Sequence, residues 1–139
     1  MKRFLQITVL LLALDAVVYF LGPKPTTPNY NNNLIQVPSE AAALEAYVAS
    51  NEAKHKVKPD NEARIVWAND STKAKTPYVI VYLHGFSASQ EEGNPVHRNI
   101  AKQFGCNMYL ARLSEHGIDT IDPLVNMTAT SLWLSLIHI

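Results

Sequence analysis

Tyr78-Val79-Ile80-Val81-Tyr82-Leu83-His84-Gly85-Phe86-Ser87-Ala88-Ser89 decides how this sequence is read. Its first six residues are apolar or aromatic, three of them Val or Ile, and no polar residue alternates with them. That pattern predicts a strand buried on both faces, as in the centre of a parallel sheet. The run stops at a His-Gly pair followed by small residues. In open α/β sheets ligands bind beyond the carboxyl ends of the strands, so the strand is scaffold and the turn at 84–89 is the expected site.

Working outward, the chain stays polar and small as far as Asn94-Pro95, which reads as an N-cap and first helical residue. Val96, Ile100 and Phe104 recur at four-residue spacing, and Gly105 ends that helix. Residues 107–113 then predict a second strand, giving the strand–helix–strand order of a parallel βαβ unit. This strand also ends in a His-Gly turn, Ser114-Glu115-His116-Gly117-Ile118-Asp119. Two parallel neighbours therefore deliver two His-Gly turns to one edge of the sheet. On the N-terminal side, 62–68 alternates as a half-exposed strand with Ile65 and Trp67 on one face, and Asn69-Asp70-Ser71 forms a turn. A helix is expected from Ser39 as N-cap to about Ala53, with Ala41, Leu44, Tyr47 and Val48 on its apolar face.

The 139 residues hold 47% hydrophobic and 17% charged side chains, which suits a globular core plus a membrane segment rather than a disordered chain. Twelve basic residues balance 12 acidic ones, so no global field attracts nucleic acid. The single cysteine, Cys106, forms no disulfide within the chain and reads as a small buried apolar residue. No Cys/His cluster has zinc-site spacing, and no metal or cofactor is expected. His55 reads as solvated and His97 as a surface residue on its helix.

Lys2-Arg3 precedes the apolar stretch 4–21, interrupted by Gln6, Thr8 and Asp15. As a helix it spans roughly 27 Å, close to the hydrocarbon thickness. Asp15 costs roughly 2.5 to 3.5 kcal/mol near the centre of a span, which a dozen apolar residues at about 0.3 to 0.6 each outweigh. Residues 1–22 are thus read as a transmembrane anchor, with a cleaved signal segment as the rival. The basic pair at the start places the remainder of the chain outside the cytoplasm, periplasmic or extracellular. Residues 23–38, carrying Pro23, Pro25, Pro28 and Asn31-Asn32-Asn33, read as a tether.

The run ending in His84-Gly85-Phe86-Ser87, the helix from Pro95, and Arg112-Leu113-Ser114-Glu115-His116-Gly117 after the next strand together resemble the α/β-hydrolase family, nearest its lysophospholipase-like and carboxylesterase-like members. The resemblance covers roughly 63–133 and implies a truncated α/β-hydrolase domain at 39–133 behind the membrane helix. It implies that the Phe86 backbone N–H meets a developing oxyanion, that Gly85 lets the backbone turn close to substrate, and that His84 braces the loop. Ser87, Arg112, His116 and Gly117 are implied as cleft residues. Gly85-Phe86-Ser87-Ala88-Ser89 is also one glycine short of a Gly-x-Ser-x-Gly nucleophile elbow. An elbow needs its helix directly behind the serine, whereas Gln90-Glu91-Glu92-Gly93 intervenes here, so the turn reads as an oxyanion loop.

No complete Gly-x-Ser-x-Gly occurs in these residues. The nucleophile, acid and base of the triad are therefore expected outside this chain, and the polypeptide alone is expected to be inactive. Thr128 is expected to cap a last helix through Trp133. Residues 134–139, Leu134-Ser135-Leu136-Ile137-His138-Ile139, match the translation of a transposon end used in sequencing libraries and are read as an adapter artefact. The implied function is the front part of a membrane-anchored serine hydrolase acting on small-molecule or lipid esters. A non-catalytic, membrane-tethered binding protein of the same family is the alternative.

Overall fold

β-branched and aromatic residues at three places build the sheet of the computed structural model, which describes residues 2–24, 27, 30 and 32–137. Strand β1 is Arg64–Val66, β2 is Val79–Tyr82 and β3 is Asn107–Leu110. Their order is β1-β3-β2, with β3 central, parallel to β2 and antiparallel to β1. Helix α3, Val96–Phe104, connects β2 to β3, as the strand–helix–strand reading expects.

The alternating pleat gives each face of the sheet a separate cover. Met108 and Leu110 of β3, almost fully buried, meet Ala101 of α3, with Val66, Ile80 and Tyr82 packed around them. On the opposite face, helix α2 (Ala41–Glu52) lies over Ile65, Trp67 and Tyr109, and a hollow of about 410 Å³ remains among Leu44, Tyr47, Val48, Val79 and Val81. The expected apolar face of α2 and the shared face of Ile65 and Trp67 are both present.

The opening strand departs from its predicted place. It lies at the sheet edge, where Tyr78 is 76% and Val79 62% exposed. An unbroken apolar run reports the residues' own preference, while burial depends on neighbours. β2 pairs with β3 alone among the described residues, and α2 covers only part of its outer face. Helix α3 is also rotated from expectation. Its buried residues are His97 and Ala101, while Val96, Ile100 and Phe104 are exposed.

Helix ends show two further corrections. Glu40, not Ser39, occupies the N-cap of α2, and Leu44 N–H bonds its carbonyl at 2.8 Å. Asn94 closes the short 3₁₀ turn Gln90–Gly93, so Pro95 takes the cap position and α3 starts one residue later. The Asn94–Pro95 peptide is cis. Gly105 ends α3 as predicted, at φ +60°, a value glycine adopts without penalty.

The last helix, α4 (Ala129–Ile137), follows a 3₁₀ turn at Pro123–Asn126. Thr128 caps it reciprocally: its Oγ1 accepts from Ser131 N–H, and Ser131 Oγ accepts from Thr128 N–H, each at 3.0 Å. Helix α4 runs unbroken through Leu134 to Ile137, and Ser135 Oγ accepts from the Ser114 amide at 3.2 Å. At the other end, α1 (Lys2–Leu21) has no buried residue and is long and apolar enough to cross a bilayer or to act as a signal sequence. Of the expected tether, Pro25, Pro28 and Asn31 lie outside the described residues, as do His138 and Ile139 of the expected adapter tail.

Candidate functional site

Parallel pairing fixes where the two His-Gly turns emerge. Tyr82 stands opposite Leu110, and the Ala111 N–H continues the ladder to the Tyr82 carbonyl at 3.1 Å. Both chains therefore leave the sheet at one level, and the turns run side by side.

Two buried histidines join them. His84, from the turn after β2, accepts the Leu113 N–H at Nε2, 3.2 Å away. His116, from the turn after β3, accepts the Ser87 N–H at Nε2, 3.1 Å away. Each turn thus uses its imidazole to hold the other turn's backbone. Since Nε2 is the acceptor in both rings, Nδ1 must carry the proton in each. His84 Nδ1 donates to the Gly85 carbonyl at 3.0 Å and His116 Nδ1 to the Ser114 carbonyl at 2.8 Å. The rings lie 4.8 Å apart, and the Phe86 ring meets that of His116 edge-on at 5.9 Å. Burial, first of all, lowers His84 below its ordinary value of 6.5. The Gly85 carbonyl opposes this, His116 adds to it, Glu92 opposes it and Arg112 adds to it, in decreasing order.

Three consecutive amides in the first turn have different fates. Gly85 N–H donates to the Glu92 carboxylate at 2.7 Å, and Ser87 N–H is held by His116. Between them, the Phe86 N–H has no acceptor among the described residues. Ser87 stands at φ +63°, a left-handed conformation that costs a non-glycine residue of order 1 kcal/mol. The cross-turn bond to His116 helps to maintain it. Gly117 requires its lack of a side chain, since it stands at φ +66° and a Cβ there would come within 2.7 Å of Asn61.

A cleft of about 680 Å³ opens beside these turns. Phe86, Ser87, His116 and Gly117 line it, together with Glu92, Lys58, Asn61 and the segment from Asp122 to Val125. Gly85 lies behind the Glu92 carboxylate, and His84 behind the His116 ring. Arg112 is not among the lining residues. Its Nε donates to Glu52 of α2 at 2.6 Å in a largely buried ion pair, and its Nη1 reaches the His116 carbonyl at 3.3 Å. It secures the second turn from behind.

The histidine on α3 corrects its sequence reading. His97 is buried, with Nε2 donating to the Gln90 carbonyl at 2.8 Å and its ring edge-on to Tyr82 at 4.6 Å. Gly93 makes room for this stack, because a Cβ there would fall 2.6 Å from the Tyr82 ring. His55 is exposed and Cys106 buried, as expected.

Glu92 is the site residue that sequence reasoning missed. It sits seven residues beyond the glycine it binds, on a 3₁₀ turn that no periodicity announces. Its charge adds to burial in raising the Tyr82 phenol above its ordinary range. Among the described residues, no group of three His, Cys, Asp or Glu side chains is placed to hold a metal ion. Comparison with protein-family models, with curated proteins and with solved structures returned no match to this chain.

Proposed function

We propose that the paired His-Gly turns are the oxyanion-stabilising part of a serine hydrolase of the α/β-hydrolase type, acting on carboxylic esters such as acyl lipids. The observation that carries this reading is the uncommitted Phe86 N–H, flanked by two amides that are already bonded and placed on the wall of a cleft. A donor held in place before the reaction stabilises an oxyanion without reorganising, and losing one typically costs ~100-fold to ~1,000-fold in rate. The nucleophile, base and orienting acid come from sequence outside residues 1–139. Ser87 does not serve as nucleophile: helix α3 starts only at Val96, and the His116 Nε2 lone pair is engaged by the Ser87 amide rather than its hydroxyl. Helix α1 anchors the enzyme, with the hydrolase domain outside the cytoplasm.

The test uses the full-length gene product. A Gly-x-Ser-x-Gly segment is expected soon after Trp133, and a fluorophosphonate probe is expected to label its serine. Phe86→Pro, which removes the proposed donor together with the ring, should then depress ester turnover by about 100-fold or more, whereas Phe86→Ala, which loses the ring and keeps the N–H, should depress it less. A gene without that segment, or a product that resists the probe, would refute the enzymatic reading. Residues 1–139 alone are expected not to turn over a p-nitrophenyl ester. Turnover sensitive to serine-directed inhibitors would reinstate Ser87.

One observation favours the alternative, a non-catalytic membrane-tethered relative. The Glu92 carboxylate takes the Gly85 N–H and places an anion beside the position where negative charge would develop. Absence of probe labelling with the cleft intact would select that reading.

A further inference from the structure

We propose that His84 and His116 are a reciprocal strap of positioning residues, fastened while both imidazoles are neutral and released when either Nε2 takes a proton. The strap itself rests on the geometry of the turns and not on the oxyanion reading of the site.

The strap is set by the hydrogen-bond directions. Each imidazole crosses from its own turn to the other and accepts a backbone N–H 29 residues away in sequence. Each is held in the Nδ1–H tautomer by a carbonyl on its own turn, Gly85 for His84 and Ser114 for His116. An imidazolium has two donors and no acceptor, so a proton on His84 ends the bond from Leu113, and one on His116 ends the bond from Ser87. Both rings are buried with centroids 4.8 Å apart, so a second proton adds like-charge repulsion to the lost bonds.

The charges around the two rings are of both signs. Facing His84 are Glu92 from the 3₁₀ turn and Arg112 from the strand end, of opposite sign, in addition to His116 itself. Around His116 the cleft presents Lys58, Glu92, Glu115 and Asp122, and the Arg112 guanidinium bonds the His116 backbone rather than its ring. Besides the two cross-turn bonds, the turns meet through the ring contacts of His116 with His84 and Phe86. Ser87 stands at positive φ and Phe86 is 75% exposed, so release of the Ser87 amide frees the peptide that follows Phe86, while the peptide carrying the Phe86 N–H keeps the bonds from Ala88 N–H and His84 Nδ1 to the Gly85 carbonyl.

The experiment uses the full chain in detergent micelles, with ¹⁵N-labelled histidine and backbone amide exchange corrected for its intrinsic pH dependence. At about pH 7.5, both imidazoles should show the neutral Nδ1–H tautomer. On acidification to about pH 5, protection at Ser87 and Leu113 should fall roughly five- to tenfold relative to the amides of β3, the equilibrium worth of one hydrogen bond. In the double variant His84→Gln with His116→Gln, each amide oxygen accepts in place of Nε2 and takes no proton, so the acid-induced fall should disappear. His116→Ala alone should lower protection at Ser87 at both pH values. An unchanged ratio to the β3 amides in the wild type, an Nε2–H tautomer in either ring, or the same acid loss in the double Gln variant would overturn the strap. If the strap behaves as stated while the full-length product resists the fluorophosphonate probe, the strap stands and the hydrolase reading falls.

Discussion

Replacing Glu52 with Ala tests how the second turn is supported from below. Glu52 ends α2, and its Oε2 meets Arg112 Nε at 2.6 Å, the side chains being 14% and 8% exposed. Burial at that level makes the pair sensitive to loss of one partner. Removing the carboxylate leaves a largely buried guanidinium with only the His116 carbonyl as acceptor among the described residues, and breaking such a pair costs about 3 to 5 kcal/mol. The residual exposure of both heads lets water replace part of what is lost, so about 3 kcal/mol is expected. At about 4 to 8 °C per kcal/mol for a domain of this size, the midpoint of thermal unfolding should fall by roughly 12 to 24 °C. The double variant Glu52→Leu with Arg112→Met removes both charges and keeps the volume, and should stay within about 1 kcal/mol of the parent. Urea unfolding of the full chain in micelles, followed by near-UV circular dichroism, reads both. A Glu52→Ala cost below about 1 kcal/mol, typical of exposed pairs, would show that the contact is solvated and that Arg112 does not support the turn.

Gly117→Ala should destabilise the domain by about 1 to 3 kcal/mol, since it forces a side chain into a left-handed position against Asn61; calorimetry showing no change would refute the close approach. Thr128→Ala removes the reciprocal cap of α4 and should cost about 1 kcal/mol, measurable by urea titration. His84 is held below its ordinary value by burial, so the unfolded chain binds more protons than the folded one as pH drops. Its contribution to stability is complete above about 6.5 and is lost as pH falls toward the lowered folded value, and a midpoint flat in pH across that window for the wild type, or an equal slope in His84→Gln, would contradict it. Helix α1 should retain the chain in membranes through carbonate extraction, and deletion of residues 2–21 should release it.

The sequence disclosed elements more readily than surroundings. Period and punctuation located α3, its glycine end and the strand on each side, because these signals are local: Gly105 ends the helix through its own φ and through the bonds that close the last turn onto the Ala101 and Lys102 carbonyls. Which side of α3 is buried was not legible in the same way. Val96, Ile100 and Phe104 form an unambiguous apolar stripe, yet the sheet takes His97 and Ala101, because Tyr82 and the Gly93 gap offer a place that fits an imidazole. The six-residue apolar run likewise announced a strand but not its place in the sheet, which is set by pairing partners far away in sequence.

At the site the same distinction has a chemical consequence. Two His-Gly turns on parallel neighbours can be predicted to meet, since register and direction follow from the βαβ order. What they do on meeting depends on ring nitrogens and on single amides, and neither leaves a mark in the sequence. In sequence His84 reads as a brace for its loop and His116, 32 positions further on, as a cleft residue. The structure satisfies each of them on the other's backbone, so neither turn can relax alone. That coupling makes the Phe86 N–H a defined feature rather than one amide in a mobile loop: Glu92 fixes the residue before it and His116 the residue after it. A substitution at Glu92 should therefore disturb the position of Phe86 without touching it. Glu92→Gln, which keeps a carbonyl acceptor for Gly85 N–H, should preserve amide protection at Gly85 within a few fold, whereas Glu92→Ala should lower it roughly five- to tenfold. Equal exchange at Gly85 in the two variants would show that the carboxylate contact does not order the turn.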